Sequence, residues 1–458
     1  MGFRNREILV FGLKRSGRAA ALALHALGAK VSVTDSKTAP ELSEETKGLY
    51  KDIKLYLGGH PEEMLEGRDM IVISPGVSSD IPVISKAREM GIKVVSELEL
   101  GCILMRARNP GIDFYAITGT NGKSTTTALL GQMLQKSGKK TFVAGNIGNA
   151  VTGEIDRAAR AEAVVLEVSS FQLENIHVFK PRIAAILNLA PDHLDRYHSF
   201  GEYRKAKARI FANQDAGDFL VLNAGDPACL GLYREFIEDN DEAPRAVFFG
   251  RGMELFGIYE KGGVVYMNLP GICAELVRAE EIRIKGVHNL ENAMAASVMA
   301  FLAGAPLGPI AETLREFPGL PHRMEIVGTV DGVTYVNDSK GTNPPATLRS
   351  IESFEGTPIV LILGGRDKNG DFQSLREAIR KNARAVIVFG EAKEKIMKAV
   401  GGAAVTVEAS ALADVVNRAR EMAKPGDAVL FSPACASFDM FRDFEDRGER
   451  FREEVGRL

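Results

Sequence analysis

Cysteine is scarce and scattered. The four cysteines of this 458-residue chain, Cys102, Cys229, Cys273 and Cys435, form no C-x-x-C pair. That spacing argues against a disulfide framework and against a cysteine zinc site, and it fits a reducing, cytoplasmic setting. A basic excess is also missing: 57 Lys and Arg stand against 60 Asp and Glu, for a net charge of −3. No nucleic-acid partner is expected on that balance. No apolar run approaches a membrane span, so no membrane association is expected. The opening residues MGFRNREILVF run straight into a strand-like segment, without the apolar stretch and cleavage site of a secretory signal. Arg6 stands where a myristoylation motif needs Ser or Thr. What is present is ordinary globular material, 45% hydrophobic and 26% charged, enough for about three domains.

The first hundred residues alternate strand-like and helical runs. EILVF (Glu7–Phe11), KVSVT (Lys30–Thr34), MIVIS (Met70–Ser74) and KVVS (Lys93–Ser96) read as short parallel strands, with a helix over Arg18–Leu27. The polar stretch Arg106–Gly111 reads as a linker. A second α/β region follows, with strands at Asp113–Thr118, Thr141–Ala144, Ala163–Glu167, Ile183–Asn188 and Phe219–Asn223. Ala246–Met267 reads as a hairpin around Lys261-Gly262-Gly263, inserted late in this region. An Ala-rich helix then ends near Gly304, and the chain breaks again at Phe317–Pro321. Strands at Val333–Asn337, Ile359–Leu363, Ala385–Phe389 and Ala428–Phe431 alternate with helices beyond it. The expectation is α/β: three domains, each an open, mostly parallel sheet with flanking helices. Their spans are 1–105, 106–320 and 321–458. No heptad and no repeat of about 20–50 residues is present.

Ile117–Thr126 reads I-T-G-T-N-G-K-S-T-T between a strand and a helix. A loop there turns backbone N–H groups toward one point at the positive end of a helix dipole, which makes a phosphate cradle. The full pattern G-x-x-x-x-G-K-[ST] needs glycine where Ile117 stands, so the match is to a shortened variant using Gly119. In it Lys123 reaches the outer phosphates and Ser124 faces Mg²⁺. The bland alternative is a plain strand–helix turn. The turn Gly12–Gly17 after the first strand carries Lys14 where a dinucleotide site wants its middle glycine, and Asp35 ends the second strand. A phosphate-bearing ligand and an ordinary turn both stay open there.

Glu167 ends an apolar strand in the same region as the phosphate loop, the place of a Mg²⁺ ligand or of a merely solvated strand end. His193, flanked by Asp192 and Asp195 after another strand, reads as a metal or carboxylate site, or as a surface pair. Lys207 lies in YRKAKARIF, where clustered basic residues usually mark a solvated helix face. Asn337–Asn343 (NDSKGTN), Gly364–Gly370 (GGRDKNG) and Ser432–Ser437 (SPACAS) follow three strands of the last region, where ligands bind in open sheets. Cys435 has no His nearby in sequence and reads as a buried thiol.

Taken together, these blocks resemble the Mur ligase family of peptidoglycan synthesis along essentially the whole chain. The matching pieces are GTNGKST, GNIG at Gly145–Gly148, LEVSSFQL, the N-x-x-x-D-H-L-D block, HNLEN at His288–Asn292 and PHR at Pro321–Arg323. DSKGTN (Asp338–Asn343) and SPACASFD-x-F (Ser432–Phe441) resemble the members that add D-glutamate.

The resemblance implies a Rossmann-like first domain, a P-loop second domain and a Rossmann-like third domain for the incoming amino acid. It implies an ATP-dependent ligase that uses Mg²⁺ (two ions), with UDP-N-acetylmuramoyl-L-alanine and D-glutamate as substrates; a monomer is the expected state. Gly119, Thr120, Asn121, Gly122, Lys123, Ser124, Thr125 and Thr126 then hold phosphate, with Ser124, Glu167, His193 and Lys207 as metal ligands. Lys207 matches a lysine that the family carbamylates. Lys123, His193 and Lys207 are the implied catalytic residues. Asn292, Arg323 and Asp338 fall at ATP positions, and Asn146 at a substrate or phosphate position. Lys340, Thr342, Lys368, Ser437, Phe438 and Phe444 match positions around D-glutamate. Ser16, Asp35, Ser36 and Gly76 match the uridine diphosphate pocket. Lys14 and Arg15, in the first turn, depart from the family's glycine-rich pattern.

Overall fold

The computed structural model describes residues 2–39, 48, 50, 51, 53–146, 149–193, 196–354 and 356–458. Its strands form three sheets. The first holds β1 (Glu7–Phe11), β2 (Lys30–Asp35), β3 (Lys54–Leu57), β4 (Met70–Ile73) and β5 (Lys93–Ser96), in the order 3-2-1-4-5. Every pairing in it is parallel. The order reverses direction at β1, so the loops after β1, β2 and β4 stand at neighbouring strand ends, where open sheets take their ligands.

The second sheet has nine strands. They are β6 (Asp113–Thr118), β7 (Thr141–Gly145), β8 (Ala163–Glu167), β9 (Ile183–Ile186), β10 (Phe219–Asn223), β11 (Arg245–Arg251), β12 (Gly257–Lys261), β13 (Val264–Leu269) and β14 (Ile272–Arg278). Their order is 14-13-12-11-10-9-6-8-7. The third holds β15 (Glu325–Val330), β16 (Val333–Asn337), β17 (Ile359–Gly364), β18 (Ala383–Phe389), β19 (Val405–Glu408) and β20 (Ala428–Phe431), in the order 15-16-20-17-18-19.

Burial explains why these runs became strands. β8 (AVVLE) and β17 (IVLILG) are buried at every position. Helices cover both faces of such parallel strands, so the runs are aliphatic rather than alternating up to their last residues, Glu167 and Gly364. The chain forms two compact units. One is Met1–Leu189, Ser199–Val277 and Asn292–Thr313, holding the first two sheets; the other is Ala190–His198, Arg278–Glu291 and Leu314–Leu458, holding the third.

Several expectations are corrected. Arg106 and Arg108 are not linker residues: a helix runs Glu97–Arg108, opened by Ser96, whose hydroxyl accepts the Glu99 N–H at 3.2 Å. Arg106 donates to the Lys180 carbonyl and lies over the Phe114 ring, so its polarity serves packing. Asn188 lies outside β9, which stops at Ile186. The first helix begins at Arg15, earlier than expected. The hairpin at Gly262-Gly263 exists, both residues having positive φ. β12 pairs in parallel with β11, so the hairpin extends the central sheet. No helix of the described residues is long and apolar enough to cross a membrane.

Candidate active site

In the first sheet the Asp35 carboxylate accepts the Leu13 N–H at 2.8 Å and the Lys37 N–H at 2.9 Å. It thereby joins the loop after β1 to the loop after β2. Ser16 lies on the first turn of the helix Arg15–Ala26, and Ser36 and Gly76 are exposed. These four residues sit at the adjacent carboxyl ends of β1, β2 and β4, where Phe11 is in register with Thr34 and Ile73.

The central sheet aligns Ile117 of β6 with Glu167 of β8, and Glu167 with Gly145 of β7. Three loops therefore leave at one level. After β6 the chain turns through Gly119–Gly122 into the helix Lys123–Lys136. Gly122 has φ +84°, and a Cβ there would fall 2.1 Å from Asn292 Oδ1, so only glycine fits. Among the described residues no side chain caps this helix, and no acid stands in its first turn. Its positive end is left for an anion. Asn188 braces the loop: its Oδ1 accepts the Asn121 N–H at 2.8 Å and its Nδ2 donates to the Asn121 carbonyl at 3.1 Å. Thr120 N–H donates to the Asn188 carbonyl at 2.9 Å. Lys123 Nζ folds back onto the carbonyls of Gly119 and Thr120, both at 2.8 Å. Thr126 Oγ1 donates to Asn292 Oδ1 at 3.3 Å.

Glu167 is 2% exposed. Asn146 Nδ2 donates to its Oε1 at 2.7 Å, and the Asn146 N–H donates to its carbonyl at 2.9 Å. Among the described residues its Oε2 has no hydrogen-bond partner. A buried carboxylate oxygen left this way is costly unless a cation takes it. Lys207, expected on a solvated face, is instead 2% exposed. The helix Phe200–Ala208 turns Tyr203, Ala206 and Lys207 inward and leaves Lys205 outside. Lys207 Nζ donates to the Gly119 carbonyl at 2.9 Å and lies 4.7 Å from the Tyr203 ring centroid. Tyr203 Oη lies 3.1 Å from Thr120 Oγ1. The structure thus brings Gly119–Thr126, Lys207 and Asn292 together, and separately joins Asn146 to Glu167. Ile147, Gly148, Leu194 and Asp195 lie outside the described residues. Among the described residues no cluster of three or more His, Cys, Asp or Glu side chains forms a ready metal cage.

In the other unit, β16, β20 and β17 are neighbours, with Phe431 in register with both Asn337 and Ile362. Their loops carry most of the remaining expected residues. Asp338 is buried; its Oδ2 accepts from Ser350 and Ser432 hydroxyls, both at 2.7 Å. Burial raises its pKa, against those bonds and the Arg323 charge. Lys340 Nζ stands 3.4 Å over the Phe444 ring, Thr342 is half-buried and Lys368 is exposed. Ser437 is buried while Phe438 is exposed. His193 has φ +54°, and its Nε2 lies 3.8 Å from Asp192 Oδ2. Asn343 Nδ2 donates to that same oxygen at 3.2 Å. Cys435 is a buried thiol whose pKa burial pushes up to about 12.

Sequence reasoning missed Arg447. It is fully buried, donating to Ser339 Oγ (3.0 Å), the Ser339 carbonyl (2.7 Å) and the Cys435 and Ala436 carbonyls (3.1 and 3.3 Å). It ties the loop after β16 to the loop after β20. The run FEDRGERFREEV offers no cue that one arginine among its many charges points inward.

Three family descriptions match the chain in order: "Mur ligase MurD-like, N-terminal domain" over residues 6–96, "Mur ligase middle domain" over 117–300, and "Mur ligase, glutamate ligase domain" over 322–435. The chain belongs to the Mur ligase family. As a Mur ligase it is an ATP-dependent enzyme that forms amide bonds. It is 41% identical to a protein of Pelotomaculum thermopropionicum named UDP-N-acetylmuramoylalanine--D-glutamate ligase, over 99% of this chain and 98% of that one. A protein of the same name from Thermoanaerobacter pseudethanolicus is 42% identical over the full length of both. Among solved Mur ligase structures, the fold is similar to UDP-N-acetylmuramate-alanine ligase from Thermotoga maritima, with a TM-score of 0.60, 21% identity and 99% of both chains covered. It is also similar to MurF from Acinetobacter baumannii, with a TM-score of 0.62, 16% identity and 99% and 91% covered.

Proposed function

We propose that this chain joins D-glutamate to UDP-N-acetylmuramoyl-L-alanine, spending ATP and passing through an acyl phosphate. Full-length identity to relatives carrying that name supports the substrates. The observation that carries the chemistry is the helix start at Gly122-Lys123, which no described side chain caps, with buried Lys207 bonded to the loop before it and buried Glu167 in register with Ile117 at the same end of the sheet.

A free carboxylate is a poor acyl donor because its leaving group would be oxide or hydroxide. In the proposed reaction the alanyl carboxylate attacks the γ-phosphorus of ATP; the new O–P bond forms as the bond to ADP breaks. Gly119–Thr126 cradle the phosphates, and Lys123 swings from the loop carbonyls to neutralise the transferred oxygens. The amine of D-glutamate then attacks the acyl carbon, loses a proton, and expels inorganic phosphate.

The buried, unpartnered Oε2 of Glu167 and the hydroxyl of Ser124 fit Mg²⁺, whose remaining ligands come from phosphate and water. When bound, Mg²⁺ supplies Lewis-acid charge stabilisation. Two ions are proposed, with His193 as a further ligand and Lys207 as a ligand after carbamylation. In that modification the neutral Lys207 amine adds carbon dioxide, an N–C bond forms and a proton leaves, so a cation becomes an acid. The reading places Asn292, Arg323 and Asp338 on ATP, and Asn146 on sugar nucleotide or phosphate. Lys340, Thr342, Lys368, Ser437, Phe438 and Phe444 serve D-glutamate, and Ser16, Asp35, Ser36 and Gly76 serve the uridine diphosphate. Domain spans of 1–105, 106–320 and 321–458 and a monomeric state belong to the same reading.

The test is oxygen transfer. Heavy oxygen placed in the alanyl carboxylate appears in the released phosphate if the acyl phosphate forms. Phosphate that stays unlabelled while the amide is made rules the pathway out.

A further inference from the structure

Glu97 opens the helix Glu97–Arg108, at the carboxyl end of β5 in the first sheet, and it is 1% exposed. Its Oε1 accepts two short bonds, from the Thr152 N–H and the Thr152 hydroxyl, both at 2.6 Å. Among the described residues its Oε2 has no partner. Packing reinforces this grip. A Cβ added to Gly101, one helical turn on, would fall 2.5 Å from Val151 Cγ1 and 3.1 Å from the Thr152 nitrogen. The turn Val151–Gly153 is therefore pressed onto this helix from two points.

That turn is coupled to the metal-ligand candidate. Asn149 Nδ2 donates to Glu154 Oε1 on the far side of the turn. The Asn149 carbonyl accepts the Gly145 N–H at 3.0 Å, at the end of β7. Next in the chain, Asn146 holds Glu167 by both backbone and side chain, at 2.9 and 2.7 Å. A carboxylate in the first domain thus fixes the anchor of a strand end whose next residue orients Glu167.

We propose that Glu97 is a positioning residue for Glu167, acting through Thr152, Asn149 and Asn146; this rests on Glu167 being a Mg²⁺ ligand. Partners one shell out from a metal ligand set its direction, and their loss weakens metal binding. Glu97 acts the same way several links further out. Its role is to accept, not to carry charge: burial pushes its carboxyl up, with the Thr152 bonds and the Arg15 charge opposing. The amide introduced by Glu97→Gln retains the accepting oxygen, so the conservative change rescues where an apolar one does not.

The test compares Glu97→Leu, Glu97→Gln and Glu167→Gln in the full chain. Two quantities are read: hydrogen exchange of the Gly145, Asn146 and Thr152 amides without ligand, and Mn²⁺ affinity by electron paramagnetic resonance with a non-hydrolysable ATP analogue. Glu97→Leu is expected to speed exchange about ten-fold and to weaken Mn²⁺ binding about ten-fold. Glu97→Gln is expected to stay within about two-fold of the unmodified chain on both. If Glu97→Leu does not fold, Thr152→Val, which removes only the hydroxyl donor, is expected to weaken Mn²⁺ binding about three-fold. Unchanged Mn²⁺ affinity in Glu97→Leu, or in Thr152→Val where the first does not fold, overturns the relay. Unchanged affinity in Glu167→Gln instead sinks the metal reading beneath it.

Discussion

Lys207 shows how one buried side chain sets the charge beside the Gly119 loop. A lysine at 2% exposure whose ammonium donates to the Gly119 carbonyl lies within reach of the phosphate loop, yet it carries the same sign as Lys123. Two cations there favour phosphate, whereas a metal wants an acid. The proposed carbamylation would resolve the conflict by inverting the charge of Lys207. Lys207→Ala removes both the amine and the carbamate it would form. Its turnover is expected to fall at least about 100-fold, and millimolar formate or acetate is expected to restore part of it by placing a carboxylate in the vacated space. A Lys207→Ala enzyme that stays slow at every concentration of short carboxylic acid would leave the charge inversion without support. Spacing and composition alone hid this residue, which only the family resemblance singled out: K-A-K-A-R has the composition of a solvated face, and the docked helix shows which lysine is turned inward.

At the scale of elements, the helix Phe444–Val455 is the least readable part of the third sheet's unit. Its charged exterior conceals Arg447, which spends its guanidinium on carbonyls of two loops at the ends of β16 and β20. Burial lowers its pKa to about 10, against the opposing pull of Cys435, Asp439 and Asp338. Arg447→Leu would leave those carbonyls buried without donors, at a cost of about 3 kcal/mol or more. The expected readout is faster hydrogen exchange in β16 and β20, with a raised KM for the amino acid; Arg447→Lys, which keeps charge but not the planar fork, falls between. Wild-type exchange in Arg447→Leu would show that the loops hold themselves. The strands were far easier to read. Fully buried parallel strands such as β8 and β17 are runs of β-branched and aliphatic residues, and chemistry collects at their carboxyl ends, where Glu167 and the loop after Gly364 were expected. β3 escaped notice because KLYL is short and only partly buried, with no periodic signature. The helix Glu97–Arg108 escaped because its polar end looks like a linker until Arg106 is seen to stack on Phe114.

Across the whole molecule, burial favours the neutral form of three histidines. His60, His288 and His322 all have pKa values lowered first by desolvation. The geometry of His322 agrees, since its Nδ1 is 3.0 Å from Asn337 Nδ2 and so acts as acceptor. The largest shift belongs to His288, lowered to about 4 by burial and then by the Arg349 and Arg323 charges. The sign follows from linkage. Below the unfolded value near 6.5, the unfolded chain takes up protons that the folded chain refuses, so folding stability falls as pH drops from about 6.5 toward 4. Two buried acids oppose the trend: Glu97 and Asp338 have raised pKa values, so the folded chain binds their protons more readily. A total pH profile therefore mixes signs, and a difference isolates the histidine. His288→Gln removes the titration while keeping a polar side chain of similar reach. Between pH 7 and pH 5 it is expected to lose less stability than the unmodified chain, by at most about 2 kcal/mol, discounted for the part of the ring that solvent reaches. Chemical denaturation at the two pH values, followed by a probe in the unit containing β15–β20, measures that difference. Equal losses in the two proteins would mean that His288 is protonated in the fold at pH 5, and that its arginine neighbours do not exclude the charge.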